Sequence, residues 1–251
     1  MNFTFEEQPW ASPFIEKTWR TQSDQAVTFT SLAASQSEIV VARHRGKTTI
    51  TVRGPETKAS LASAPADGEY FGIVFRLGTY MPHLLPRNLM DRRDANLPEA
   101  GSRSFWLHGS AWEFPSFDNA DTFVERLVRE GLLVRDPVVE AMLQGHPQAF
   151  SPRALQYRFV RATGLPHKVI QQIERARQAL SLLQRGTSII DTANEVGYFD
   201  QAHLTHALKR FLGQTPAQIA RGCPRLRRCC WRRPAPWSAR RPRSRKRRAR
   251  G

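Results

Sequence analysis

Two clusters in the C-terminal half of the chain have the residue types and spacing to hydrogen-bond the edges of nucleic-acid bases. One is Arg153, Gln156 and Tyr157; the other is Gln201, Ala202, His203, Thr205 and His206. Arginine pairs bidentately with guanine and glutamine with adenine, while threonine offers thymine a hydroxyl or a methyl. Arg158, Arg161, Lys209 and Arg210 suit phosphate oxygens, contacts that set position and salt dependence rather than sequence choice. His203 precedes an apolar position and has a second reading, as a side chain packed on a neighbouring helix. No other chemistry has a comparable pattern. His83, Asp91, Asp94 and His108 are metal-ligating types without compact ligand spacing, and His203 with His206 lacks a third ligand nearby in sequence. No Ser-His-Asp arrangement, HExxH, Gly-rich phosphate loop or carboxylate pair appears. The expectation is a binding protein with no cofactor and no metal, not an enzyme.

The elements that must position these clusters are helices. Gly186 ends one helical pattern, and Ser188 with Asp191 has capping-box spacing. Ile189, Ile190, Ala193 and Val196 predict the apolar face of a short helix, which Gly197 breaks. Tyr198 and Phe199 bridge the turn, and Asp200 caps a second helix carrying Leu204, Ala207, Leu208, Phe211 and Leu212 at helical spacing. Two short helices meeting at a Gly-containing turn, the second polar outside, is a helix-turn-helix layout. An earlier unit repeats it. Asp136-Pro137 starts a helix with Val138, Val139, Met142 and Leu143 inward, Gly145 closes it, and Ser151-Pro152 starts another with Leu155, Phe159 and Ala162 inward. The turn from Gly145 to Phe150 is longer than usual. Between the units, Val169, Ile173, Ala176, Leu180 and Leu183 form one stripe down a helix over 167–185. At ~1.5 Å per residue that rod spans roughly 28 Å. It would set two recognition helices into major-groove segments about one turn, roughly 34 Å, apart.

Gly197-Tyr198-Phe199-Asp200, His203-Leu204-Thr205, Lys209-Arg210 and Gly213-Gln214-Thr215-Pro216 resemble the signature of AraC/XylS-type transcriptional regulators. The resemblance runs from about residue 136 to 220 and implies a domain of two helix-turn-helix units. The family usually has Phe at Leu204 and Leu208, Arg at His206 and Tyr157, and Ser-Pro at Pro166-His167. The His206 change thins the basic face. Gly72–Gly78 with Leu84-Leu85 resembles the sensing module of one subgroup, which implies a small β-barrel that binds an effector and mediates pairing.

The formal charge of +16 does not describe the folded part. Fourteen of the 38 Lys and Arg lie at 221–251 with no Asp or Glu, so residues 1–220 carry a net +2. Cys223, Cys229 and Cys230 also lie in that Arg- and Pro-rich tail, which predicts disorder there and no disulfide framework before it. No apolar run approaches the ~18 residues of a membrane span. Residues 1–24 read as an irregular lead-in. Strands are expected at Val27–Thr30, Glu38–Arg43, Thr48–Val52 and Tyr70–Leu77, with Arg45-Gly46 as a hairpin turn and Ser60–Gly68 as a loop. Phe105, Trp106, Trp112, Phe114 and Phe117 form an aromatic cluster that reads as packing where two domains meet, with a pocket lining as the alternative.

The expected fold is α+β: a β-rich sensing domain at 1–120, an all-α double helix-turn-helix domain at 121–220 and a disordered basic tail at 221–251. The expected function is an effector-responsive, cytoplasmic and nucleoid-associated transcriptional regulator. Its expected partners are double-stranded promoter DNA, RNA polymerase, a small-molecule effector and a second copy of the chain in a homodimer, with no membrane. The alternative is an interaction protein that keeps the fold and binds nucleic acid weakly through its tail.

Overall fold

The computed structural model describes residues 3–146 and 149–222. The tail from Cys223, with its expected disorder and its cysteines, lies outside the described residues, as do Pro147 and Gln148 of the long turn. The chain begins with strands β1 (Phe3–Pro9), β2 (Ile15–Ser23), β3 (Val27–Ser31), β4 (Glu38–His44), β5 (Lys47–Arg53), β6 (Ser60–Ala64), β7 (Gly68–Phe75) and β8 (Thr79–Tyr80). After a 3₁₀ turn at Pro86–Asn88 come β9 (Ala95–Leu97), β10 (Glu99–Gly101), β11 (Ser104–Leu107) and β12 (Ser110–Glu113). Helix α1 (Ala120–Arg129) and β13 (Val134–Arg135) lead into α2 (Pro137–Leu143), α3 (Pro152–Thr163), α4 (His167–Gln184), α5 (Ile189–Glu195), α6 (Gln201–Leu212) and α7 (Pro216–Ala220). The architecture is thus a β-rich N-terminal part followed by a helical C-terminal part.

Six strands form an antiparallel sheet in the order β1-β2-β7-β4-β5-β9. Arg45 and Gly46 both take positive φ, 50° and 76°, as a two-residue β4–β5 turn requires. Alternate positions Ile39, Val41, Ile50, Val52, Phe71, Ile73 and Phe75 point into one core, and α1 covers it with Phe123, Val124 and Leu127. The aromatic cluster belongs here: Phe105 lies 5.4 Å from Phe114, and Trp112 meets Phe123 edge-on at 6.0 Å. It fastens α1 to the strands. Trp106 points outward, 47% exposed.

Two expectations are corrected. Residues 3–23 are not an irregular lead-in but a hairpin, held by charge pairing across the strands rather than by apolar alternation. Arg20 stands opposite Glu6 and bonds it, and Lys17 bonds Glu7 at 2.5 Å. Trp19 lies over its cross-strand neighbour Gly72, where a Cβ would come within 2.2 Å of the indole. Ser60–Ala64 is likewise a strand, paired with β3, and its small residues conceal it from propensity.

A second core unites the helices. Phe159, Ala162, Ile170, Ile173, Ala176, Ala179, Leu183, Ala193, Leu204, Leu208, Phe211 and Ile219 pack together, and Ala33 and Tyr80 of the β-rich part join them. Both faces of α4 contribute, so Ile170 and Ala179 are buried while the predicted Val169 and Leu180 are only partly covered. In α5 the inward pair is Thr192 and Ala193; Ile190, expected inside, is 65% exposed.

Two carboxyls carry a pH signature. Burial raises Glu16 above the ordinary glutamate value of 4.5, against a lowering hydrogen bond from Gln36. Burial also raises Glu56, against a lowering hydrogen bond from Ser31. An acid whose folded value is raised contributes stability that is complete below its unfolded value and is lost as pH rises through the folded one. Glu16→Gln and Glu56→Gln therefore flatten the fall in urea midpoint from mildly acid to neutral pH. A variant curve parallel to that of the unsubstituted chain contradicts this.

Candidate nucleic-acid interface

Each interface helix is started by a side-chain cap. Ser151 accepts from Ala154 N–H at 3.3 Å and opens α3; Asp200 accepts from His203 N–H at 2.7 Å and opens α6. Ser188 does the same for α5, accepting from Asp191 N–H at 3.1 Å. Gly197 joins α5 to α6 at φ 74°, a left-handed conformation that side chains resist. Leu204, Ala207, Leu208, Phe211 and Leu212 then anchor one side of α6 in the core.

The other side of α6 is free. Gln201, Ala202, Thr205, His206 and Lys209 lie together along one open face of the helix. His203, though exposed, turns away from that set, its ring edge-on to the buried Tyr198 at 5.1 Å. Arg175 covers Tyr198 with its guanidinium 5.6 Å from the ring centre. Arg210 is exposed and lies over Phe211 at 5.0 Å.

On α3, Arg153, Gln156 and Tyr157 are exposed together, Tyr157 by 65%. Arg158 is committed elsewhere. Its Nε and Nη2 donate to the two oxygens of Asp136 at 2.9 and 2.8 Å, and it stacks on Phe150 at 4.7 Å. Asp136 also caps α2, accepting from Val138 N–H at 3.0 Å. Arg161 is exposed beside Arg158 at the mouth of a cleft with Tyr80, Arg135 and Asp136. The expected phosphate-binding pair on α3 thus has one member already ion-paired. Asp136→Ala removes a cap and the carboxylate that holds Arg158. A stability loss of about 1–2 kcal/mol is expected from the cap alone, read as a lowered urea midpoint; an unchanged midpoint contradicts the assignment.

Two large apolar side chains near this face are exposed. Phe199 is 92% exposed at the position just before the α6 cap, and Ile190 lies on the outer side of α5. Phe199 falls between two helices, so helical periodicity gives it no face. Among the described residues no group of three or more His, Cys, Asp or Glu could hold a metal ion, although the His83 and His108 rings lie 5.3 Å apart. No helix among them is long and apolar enough to cross a membrane.

Residues 149–222 match a family model described as a helix-turn-helix domain, which takes in α3 through α7. The HTH-type transcriptional regulator RipA of Corynebacterium glutamicum is 33% identical over 93 residues, 36% of this chain. The match spans only 28% of that relative's length. Among solved structures, ToxT from Vibrio cholerae aligns over 86% of this chain and 98% of its own at 12% identity and a TM-score of 0.35. ToxT bound to (E)-4-(8-methylnaphthalen-1-yl)but-3-enoic acid aligns at 11% identity with the same score. Likeness at that level is too slight to carry an argument about the arrangement of this chain.

Proposed function

We propose that the chain, whose residues 149–222 match a helix-turn-helix family model, is a transcriptional regulator of the AraC/XylS type that binds promoter DNA sequence-specifically in response to an effector. The observation that carries the proposal is the free face of α6, where Gln201, Ala202, Thr205, His206 and Lys209 stand together behind a capped N-terminus. A second recognition helix lays its N-terminal residues against base edges in the major groove. Arg153, Gln156 and Tyr157 on α3 supply the same function one unit earlier. Arg161, Lys209 and Arg210 take phosphates, with Arg158 fixing α3 rather than touching DNA. The β-rich part, residues 1–120, is the sensing module in this reading, and 121–220 the DNA-binding domain. Contacts with RNA polymerase and pairing of two chains belong to the same proposal.

Footprinting on the chain's own genomic neighbourhood tests it. Two protected segments about one helical turn apart, roughly 34 Å, are expected on one face of the duplex. Uniform protection without a preferred site sinks the proposal.

Phe199 adds an apolar contact. A ring exposed beside Gln201 is placed to cover a thymine methyl, the one apolar feature of the major-groove edge. Replacing thymine by uracil in the site lowers binding of the unsubstituted chain, and Phe199→Ala erases that sensitivity without changing thermal stability. Equal uracil sensitivity in both proteins contradicts the contact.

A further inference from the structure

The last carbonyls of an α-helix have no donors within the helix. At the end of α6 the Lys209 carbonyl accepts from Gly213 N–H at 3.0 Å, but the next two are capped by the β-rich part. Ala59 N–H donates to the Arg210 carbonyl at 2.8 Å, and Ala33 N–H donates to the Phe211 carbonyl at 2.9 Å. Both donors flank the β3–β6 pair, which closes with Ser31 opposite Ser60. Ala33 is fully buried, and its own carbonyl accepts from Arg177 of α4 at 2.9 Å. One residue of the β-rich part therefore bonds two helices of the DNA-binding domain. The contact is close. A Cβ at Gly213 would meet Thr30 Cγ2 at 3.1 Å and Ala59 Cβ at 3.4 Å. The donor segments are braced in turn, Ala34 and Glu56 exchanging backbone bonds of 2.9 and 2.8 Å and Ser31 bonding the Glu56 carboxylate at 2.9 Å.

The first unit is held at a different place. β13 pairs with β8, Asp136 N–H donates to the Gly78 carbonyl at 2.9 Å, and the end of α3 lies against the Pro86–Asn88 turn. Each recognition helix thus has its own anchor on the β-rich part, in addition to the α4 rod between them.

We infer that Ala33 and Ala59, with Arg177, are positioning residues for the second recognition helix. Ala33 and Ala59 hold the last carbonyls of α6, Arg177 holds Ala33 in place from α4, and together they fix the tilt of α6 relative to α3. The β-rich part then sets which half-site spacing the two helices accept, and a ligand that moves the β3–β6 pair changes spacing preference before it changes base preference. The inference rests on the DNA-binding proposal for its consequence but not for its geometry.

Two measurements on the full chain separate these. The first needs no DNA. Spin labels at positions 156 and 206, with the three cysteines replaced by serine, report the α3–α6 distance distribution. Ala59→Pro, which removes one donor, and Arg177→Met, which removes another, broaden a narrow distribution. An unchanged distribution in both variants overturns the inference. The second compares the footprinted duplex with versions lengthened or shortened by one base pair between half-sites. Both variants lose about tenfold on the native spacing and nothing on the altered ones, so the spacing preference collapses. Tighter binding by the variants, or a uniform loss on every duplex with a lowered melting temperature, overturns the inference in favour of an inhibitory or merely structural contact. If the labels broaden but no duplex is selected by the unsubstituted chain, the DNA-binding proposal fails and the positioning contact stands without that role.

Discussion

Arg153→Ala and Gln201→Ala each weaken binding to the cognate duplex by about 10- to 100-fold, and the double variant loses the product of the two. A good bidentate base contact is worth ~1–3 kcal/mol of discrimination, which sets that range. Multiplication is expected because the two side chains stand on different helices of different units and share no partner. Both are exposed, so melting temperatures stay unchanged. Lys209→Ala behaves differently. It weakens every duplex alike and lowers the slope of log K against log salt by about one phosphate contact. Competition binding across a salt series distinguishes the cases. A Gln201→Ala variant with undiminished selectivity contradicts the assignment of α6 as the reading helix.

The largest stability effect is expected at Gly164. It ends α3 at φ 75°, and a Cβ there would stand 2.8 Å from Arg87 N and 2.9 Å from the Pro86 carbonyl carbon. Both obstacles are backbone and cannot swing aside. Gly164→Val therefore combines a left-handed β-branched residue, at ~1–2 kcal/mol, with overpacking at ~1–3 kcal/mol. A total of about 2–5 kcal/mol corresponds to a fall in Tm of roughly 5–15 °C for a chain of this size. Gly186→Val is the control. It shares the positive φ, 90°, but meets nothing within 4 Å, so only the conformational part of the loss is expected. Equal losses at the two glycines contradict close packing of α3 on the 3₁₀ turn.

The helical part was legible because its signals are local. Asp136, Ser151, Ser188 and Asp200 all accept the hydrogen bonds that their positions before apolar runs predict. The apolar spacing of α6 is borne out residue by residue. What stayed illegible depends on partners distant in sequence. Arg158 looks like any surface arginine until the fold brings Asp136, 22 positions away, against it. Ala33 and Ala59 carry no chemical signal, since only their backbones act on α6. The β1–β2 hairpin hid behind charged side chains whose pairing appears only across the strands. Ile190 read as core because it follows Ile189 in an apolar pair, yet in α5 the inward positions are Thr192 and Ala193.

If the free faces of α3 and α6 select a DNA sequence, binding must survive competition by DNA of other sequence. The decisive measurement titrates the full chain, and its Gln201→Ala variant, onto the footprinted duplex at ~150 mM salt, where long-range charge attraction is largely screened. Scrambled duplex serves as competitor. Scrambled DNA is expected to leave the unsubstituted chain in place and to displace the variant readily. Displacement of both by scrambled DNA at equal concentration would contradict that selection, and would leave the arginine-rich C-terminal segment as the source of any nucleic-acid affinity.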